Sequence, residues 1–179
     1  MKRNVTTMFA ALAVALAPIA LGDEFTDLLE KSPRHHEWVK FPSSDGRIVD
    51  AFVAYPESKD PADSVIVIHE NKGLTDWVKL VGDELAKNGF LAVCPDLLAG
   101  KGPDGGGTAT FANANDATKA IYALDADAVT ADLKACVAYA RNLPSTTDVV
   151  SVTGYCWGGG QSFRLATNEP SLHAALVFY

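Results

Sequence analysis

The chain has 179 residues, a 48% share of hydrophobic residues and a 21% share of charged ones, which is ordinary for one folded domain with a full core. Its formal net charge at pH 7 is −7, and no basic run occurs beyond the extreme N-terminus. This composition argues against nucleic acid as a partner, because binding to phosphate backbones requires a basic surface.

The N-terminus predicts a signal peptide over residues 1–22. Lys2 and Arg3 precede an uncharged run rich in alanine and leucine, and Ala20-Leu21-Gly22 places small residues at the two key positions of a cleavage site. We therefore expect an exported protein, periplasmic or secreted, with no membrane contact after cleavage. An uncleaved anchor is the alternative, although Pro18 and the short apolar run disfavour a membrane span.

After an N-terminal extension over 23–37, the pattern predicts an α/β domain over 38–179. Strands are expected at 38–41, 47–55, 64–69, 90–94, 149–153 and 174–178. The first two would form an antiparallel hairpin, and helices would separate the fourth strand from the fifth. Helices are expected after Thr75, over 113–142 in two pieces, and over 157–167. Alternating strands and helices predict a mostly parallel sheet with helices on both faces.

The segment 154–159 predicts a nucleophile elbow. Its sequence is Gly-Tyr-Cys-Trp-Gly-Gly, and it follows an apolar strand and opens a helix. In such a turn Cys156 stands where α/β-hydrolases carry serine, and the first N–H groups of the helix favour its thiolate form. The backbone N–H of Trp157 would supply one half of an oxyanion hole. The alternative is that Cys156 is a small residue in a tight turn.

A second motif, His69-Glu70-Asn71-Lys72-Gly73, follows a buried strand. It is not the zinc pattern H-E-x-x-H, because glycine occupies position 73, and we expect neither a metal nor an organic cofactor. The loop lies where this fold supplies the other oxyanion N–H, and Glu70 could take or hold the Cys156 proton. An exposed loop glutamate is the competing interpretation.

The remaining candidate side chains carry weaker expectations. Cys94 and Cys136 are expected to be buried thiols, with a disulfide between them left open, and His35 and His36 to form an exposed pair. His173, with Glu169 before it, comes too early in the topology for a catalytic base. The glycine-rich stretch 102–107 is expected to be a flexible surface loop or lid, since no Gly-Lys-Ser/Thr follows it.

Three segments in order resemble the dienelactone hydrolase family: 65–74, 89–98 and 154–159. The resemblance implies an α/β-hydrolase that opens lactones or cleaves carboxylic esters of small molecules. It implies Cys156 as the nucleophile, Glu70 as the group that activates the thiol, and the backbone amides of Asn71 and Trp157 as the oxyanion hole. The family's triad aspartate and histidine match no residue of this chain, because Tyr179 directly follows a predicted strand and the domain is expected to be truncated there.

The resemblance leaves the substrate open, because residues 99–140 contain no arginine to hold the carboxylate of dienelactone. A catalytically incomplete fragment or pseudoenzyme that binds small molecules is the alternative from another class. A redox-sensing thiol protein, in which Cys156 is reversibly oxidised, is a third. The sequence does not define the oligomeric state.

Overall fold

The computed structural model describes residues 21–179, which form six strands and five α-helices. The strands are β1 (His36–Pro42), β2 (Ile48–Ala54), β3 (Ala62–Ile68), β4 (Leu91–Asp96), β5 (Thr146–Tyr155) and β6 (Ala175–Phe178). The helices are α1 (Leu21–Glu30), α2 (Asp76–Lys87), α3 (Ala114–Tyr122), α4 (Ala126–Asn142) and α5 (Trp157–Asn168). Within this range no helix is long and apolar enough to cross a bilayer.

All six strands join one sheet in the order β1-β2-β4-β3-β5-β6. The β1–β2 and β2–β4 pairs are antiparallel, and the β4–β3, β3–β5 and β5–β6 pairs are parallel. The hairpin turn uses Gly46 at φ +83°, a conformation that favours glycine. The predicted mostly parallel sheet with an N-terminal antiparallel hairpin is confirmed.

Two apolar clusters cover the two faces of the sheet, because successive side chains of a buried strand point to opposite sides. Ile66 of β3 packs in the cluster of α4, whereas its neighbour Val67 packs in the cluster of α2. Cys136 belongs to the first cluster and Cys94 to the second. Both are buried free thiols, as expected, and the disulfide left open by the sequence is absent. Burial raises the pKa of both thiols.

One local expectation is wrong, and one is confirmed in position only. Pro95 does not end its strand, since β4 continues to Asp96 beside β2 and Pro95 pairs in register with Ala51. A proline is tolerated there because the ladder with β3 reaches only Val93. Thr75 is the N-cap of α2 by position, but its side chain makes no capping hydrogen bond.

The N-terminal segment is fixed to α2 through one buried carboxylate. Asp83 is 1% exposed and accepts hydrogen bonds from Ser32 Oγ at 2.6 Å and Arg34 Nε at 2.8 Å, with a further contact to Arg34 Nη2. His36 Nε2 lies 2.8 Å from the same carboxylate, and its ring packs on Phe52. The expected exposed histidine pair is therefore wrong for His36, which is half-buried.

The predicted N-terminal boundaries have different outcomes. The signal peptide over 1–22 lies outside the described residues except for its last two, so it stays a prediction. The extension over 23–37 contains most of α1, and its last two residues belong to β1, which begins at His36. The strand starts earlier than expected because His36 and Glu37 pair with Ala54 and Val53.

Candidate active site

The register of the sheet places the two predicted motifs side by side. Ile68, the last residue of β3, pairs in parallel with Gly154 of β5. Neighbouring strands lie about 4.8 Å apart, so the loops that leave their carboxyl ends begin next to each other. Glu70 and Cys156 each follow the paired residue by two positions. The candidate site is therefore a consequence of strand order and register.

Cys156 occupies the strained turn between β5 and α5. Its backbone has φ 54° and ψ −116°, outside the conformations that L-residues ordinarily adopt. A Cβ at position 154 would lie 2.0 Å from the carbonyl oxygen of Gly158, and a Cβ at 158 would lie 2.4 Å from the carbonyl oxygen of His69. The two glycines allow the strand, the helix and the β3 loop to approach this closely. The predicted elbow is confirmed as a backbone structure.

Two backbone amides next to the turn are the candidate donors of an oxyanion hole. Trp157 is the first residue of α5, and the first N–H groups of a helix have no intrahelical acceptor. Asn71 lies in the loop after β3, and across residues 21–179 its N–H donates to no backbone acceptor. The N–H of Cys156 itself donates to Phe178 O at 3.0 Å. The assignment of Asn71 and Trp157 as the oxyanion donors stays a prediction, and the absence of a backbone acceptor for Asn71 N–H is compatible with it.

Tyr179 contacts the other predicted site residue. Its hydroxyl donates a hydrogen bond to Glu70 Oε1 at 3.1 Å across 109 positions of sequence. The pKa of Tyr179 is raised, first by that hydrogen bond and then by the nearby Glu70 and Cys156. No sequence motif signals this tyrosine, because its role depends on the β5–β6 pairing that carries it to the site.

His69 fixes the shape of the loop that contains Glu70 and Asn71. The imidazole is fully buried; its Nε2 accepts from Leu97 N at 3.3 Å, so its Nδ1–H donates to Glu70 O at 2.8 Å. Burial lowers the pKa of His69, which keeps the ring neutral. Its ring stacks on Trp157 with 5.6 Å between centroids and 13° between planes. The sequence identified His69 only as the first residue of a motif. It did not predict that the imidazole fixes the conformation of the loop.

A second connection fixes the far end of the same loop. Thr108 Oγ1 accepts from Leu74 N at 3.0 Å and donates to Asp96 Oδ1 at 2.7 Å, while Thr108 N donates to Asp96 Oδ2 at 2.7 Å. Gly73 has φ +80°, and a Cβ there would lie 2.2 Å from Thr108 Oγ1. The glycine-rich stretch 102–107, expected to be a flexible loop or lid, is therefore tied to the site through Thr108, the residue that follows it.

The other candidate residues do not join the site. His173 lies before β6, and its N–H donates to Val150 O, toward the amino end of the strands. Glu169 caps the far end of α5 and accepts a hydrogen bond from Ser171. His35 pairs with Glu37 on the surface. Among the described side chains, no group of three or more His, Cys, Asp or Glu residues is placed to hold a metal ion.

A mostly parallel sheet of this order, with helices around it and a strained strand-to-helix turn after β5, is the architecture of an α/β-hydrolase. Comparison with known families makes the assignment specific. The sequence model of the Dienelactone hydrolase family matches residues 49–179, and the chain belongs to that family. The resemblance inferred from the three motifs is confirmed.

Two relatives of the chain are carboxymethylenebutenolidases. Carboxymethylenebutenolidase of Pseudomonas putida is 34% identical over 134 residues, which are 73% of this chain and 55% of the relative. Carboxymethylenebutenolidase 1 of Cupriavidus pinatubonensis is 31% identical over 132 residues, which are 73% of this chain and 56% of the relative. The chain thus spans little more than half the length of the relatives it matches.

A solved structure supports the fold. A dienelactone hydrolase-like promiscuous phosphotriesterase from metagenomic libraries superposes with a TM-score of 0.61 at 23% identity. The superposition covers 80% of this chain and 60% of that one. It confirms the α/β-hydrolase fold and carries no statement about substrate.

Proposed function

We propose that the chain carries the nucleophile and oxyanion hole of a hydrolase that opens lactones or cleaves carboxylic esters of small molecules. The observation that supports it most is the backbone of Cys156, held at φ 54° and ψ −116° between two glycines that leave no room for a Cβ. A strained residue of this kind persists only where the surroundings enforce it, and such strain is concentrated at functional sites. Family membership points to the same chemistry.

In the proposed reaction the Cys156 sulfur attacks the carbonyl carbon of the substrate, and Glu70 takes the thiol proton. The carbonyl oxygen becomes an oxyanion that accepts hydrogen bonds from the N–H groups of Asn71 and Trp157. Collapse of this intermediate breaks the bond to the leaving oxygen, which takes the proton held by Glu70, and leaves a thioester on Cys156. Water then hydrolyses the thioester, which gives the carboxylic acid and restores the thiol.

Tyr179 supports the role of Glu70 by binding its carboxylate. The hydroxyl donates to Glu70 Oε1 at 3.1 Å, which orients that oxygen and leaves Glu70 Oε2 for the thiol proton. No residue of this chain is proposed as the triad histidine or aspartate, since His173 lies toward the opposite end of the strands. The alternative of a non-catalytic binding protein is not favoured by the hydrolase relatives.

The test uses the full chain and a small aryl ester such as p-nitrophenyl acetate. Intact-mass spectrometry should show one acetyl group, mapped to Cys156, and release of p-nitrophenol should be lost in Cys156→Ala. Glu70→Gln should slow acylation, whereas Glu84→Gln, at an exposed position on α2, should not. Acylation that persists in Cys156→Ala at the original rate would contradict the mechanism.

We also propose export, on the signal peptide pattern of residues 1–22. Expression with the native N-terminus followed by fractionation should place the protein outside the cytoplasm, with a mature N-terminus at Asp23. Recovery of the protein with Met1 and the apolar run retained would contradict cleavage.

A further inference from the structure

A cavity of about 530 Å³ borders the candidate site on the side of Glu70. Its lining includes Glu70 and Tyr179 of the candidate site together with two further aromatic side chains, Phe25 and Trp77. Its volume lies within the usual range for small-molecule sites. Cys156 directly follows Tyr155, whose ring contacts the Trp77 that lines the cavity, so a substrate at the nucleophile would extend toward this cavity.

One wall comes from a helix outside the segment that matches the family model. Phe25 belongs to α1, whereas the match begins at residue 49. Contacts of residues that follow Phe25 position this helix: Thr26 Oγ1 donates to Asp76 Oδ2 at 2.5 Å, and Leu29 packs against the apolar cluster of α2. The buried carboxylate of Asp83 then holds the chain that follows α1. Phe25 is therefore placed by the fold.

The other wall is fixed as well. The Trp77 indole makes an edge contact with the Tyr155 ring, with 5.1 Å between centroids and 79° between planes. Beyond Phe25 and Trp77 a second cavity of about 610 Å³ continues over a mainly apolar surface. Its further lining includes Leu80, Val81, Leu85 and Phe90. The two aromatic residues thus stand between the polar site and an apolar groove.

We propose that Phe25 and Trp77 form a subsite for an aryl group of the substrate. Two aromatic walls bind a flat ring through dispersion and edge contacts. Glu70, Asp76 and Lys72 are the charged lining residues, and the Asp76 carboxylate is paired with Lys79 at 2.5 Å, so the cavity has no surplus of positive charge to attract an anionic group. That the reacting bond is an ester or a lactone rests on the proposed function. The preference of the cavity for an aryl group does not depend on it.

The test compares two alkylating probes at Cys156, iodoacetamide and N-phenyl iodoacetamide. In both reactions the sulfur bonds to the methylene carbon, iodide leaves with the bonding electrons, and the thiol proton passes to buffer. Peptide mapping follows Cys156 alone, since Cys94 and Cys136 are buried. We expect Phe25→Ala to lower the rate with the phenyl probe roughly three- to tenfold, and to leave the rate with iodoacetamide unchanged.

Two further variants separate the subsite from a general effect on the fold. Phe25→Leu keeps the apolar contact of α1 and should show a smaller loss of phenyl selectivity, and Trp77→Leu should reproduce the loss from the side of α2. Phe163→Ala is the matched control, because Phe163 is 65% exposed on α5 and lines neither cavity. An unchanged ratio of the two rates in both Phe25→Ala and Trp77→Leu would overturn the proposal.

The two proposals fail in different ways. Loss of phenyl selectivity in the variants, with no ester hydrolysis by the parent chain, would support the subsite and contradict the proposed function. Acylation of Cys156 by esters, together with an unchanged ratio of the two probe rates, would support the proposed function and contradict the subsite.

Discussion

The imidazole of His69 lies flat against the indole of Trp157, with 5.6 Å between ring centroids. His69 directly follows strand β3 and precedes Glu70, and Trp157 begins the helix that follows Cys156. The stacked rings therefore join the two loops that supply the amides of the candidate oxyanion hole. The separation of those amides is set by side chains that do not touch the substrate carbonyl.

Replacement of His69 by phenylalanine tests this connection. The ring contact with Trp157 can be kept, but the buried N–H of Leu97 loses its acceptor. We expect the free energy of unfolding to fall by about 1–3 kcal/mol, the usual consequence of an unpaired buried donor. Urea denaturation at pH 7.5 measures it. His35→Phe, at an exposed position, should change stability by no more than about 0.5 kcal/mol.

The stability of the parent chain should also depend on pH through His69. Its pKa is lowered in the folded state from the ordinary 6.5, so the unfolded chain binds the proton first. Stability is then complete above about pH 6.5 and falls as the pH drops below it, by up to about 1.4 kcal/mol per pH unit. Denaturation between pH 7.5 and 5 should show a smaller slope in His69→Phe. Equal slopes in the two proteins would rule out a buried neutral His69.

Thr108→Val should release the loop that carries Asn71. The variant keeps the shape of the side chain but cannot accept from Leu74 N or donate to Asp96. We expect faster hydrogen exchange at Leu74, and a fall in the acylation rate with little change in substrate affinity. Thr108→Ser should restore both. Thr110→Val is the control in the same loop, because Thr110 bonds only the nearby Gly107 carbonyl.

Asp83→Asn should detach the N-terminal segment from α2. Breaking a buried ion pair leaves Arg34 without its carboxylate and should cost about 3 kcal/mol, measured by denaturation. In the parent, the hydrogen bonds of Arg34, Ser32 and His36 hold the pKa of Asp83 at about 2 although burial opposes them. That stabilisation is present above about pH 4 and is lost as the pH falls toward 2. Asp27→Asn, in an exposed pair with Lys31, should lose less than about 1 kcal/mol.

Gly154→Ala and Gly160→Ala should act in opposite directions. A Cβ at 154 would lie 2.0 Å from the Gly158 carbonyl oxygen, so the elbow must deform and thermal unfolding should occur at lower temperature. Gly160 is in the same helix as Gly158 but has open space where its Cβ would be. Alanine there should stabilise the protein by up to about 1 kcal/mol. Equal effects at the two positions would contradict the steric account.

The order of strands and helices could be predicted because each has a local signal. The uninterrupted β-branched run of β3 indicated a strand buried on both faces, and the glycines around Cys156 indicated the turn. The two motifs could be placed together because parallel strands end at one edge of a sheet. The family resemblance added the expectation that Asn71 supplies the second oxyanion N–H.

Contacts between distant side chains could not be predicted in this way. Asp83 meets Arg34 across 49 positions and Tyr179 meets Glu70 across 109, and neither pair forms a spacing pattern. The glycines that precede Thr108 indicated a flexible loop. Its hydroxyl nevertheless accepts a hydrogen bond from Leu74 N and donates one to Asp96, which connects two other parts of the chain. Pro95 was expected to end β4 because a single sequence does not show where the ladder to β3 stops.

The close approach of Gly154, Gly158 and the His69 carbonyl has an evolutionary consequence. Any side chain at either glycine would collide with main chain, so mutation at these positions is opposed by folding, whatever happens at residue 156. A descendant that had lost the thiol, and with it all chemistry, would still retain both glycines. Among proteins descended from this chain, the two flanking glycines would therefore indicate that the architecture is kept. Only the residue at position 156 would indicate whether the activity is kept.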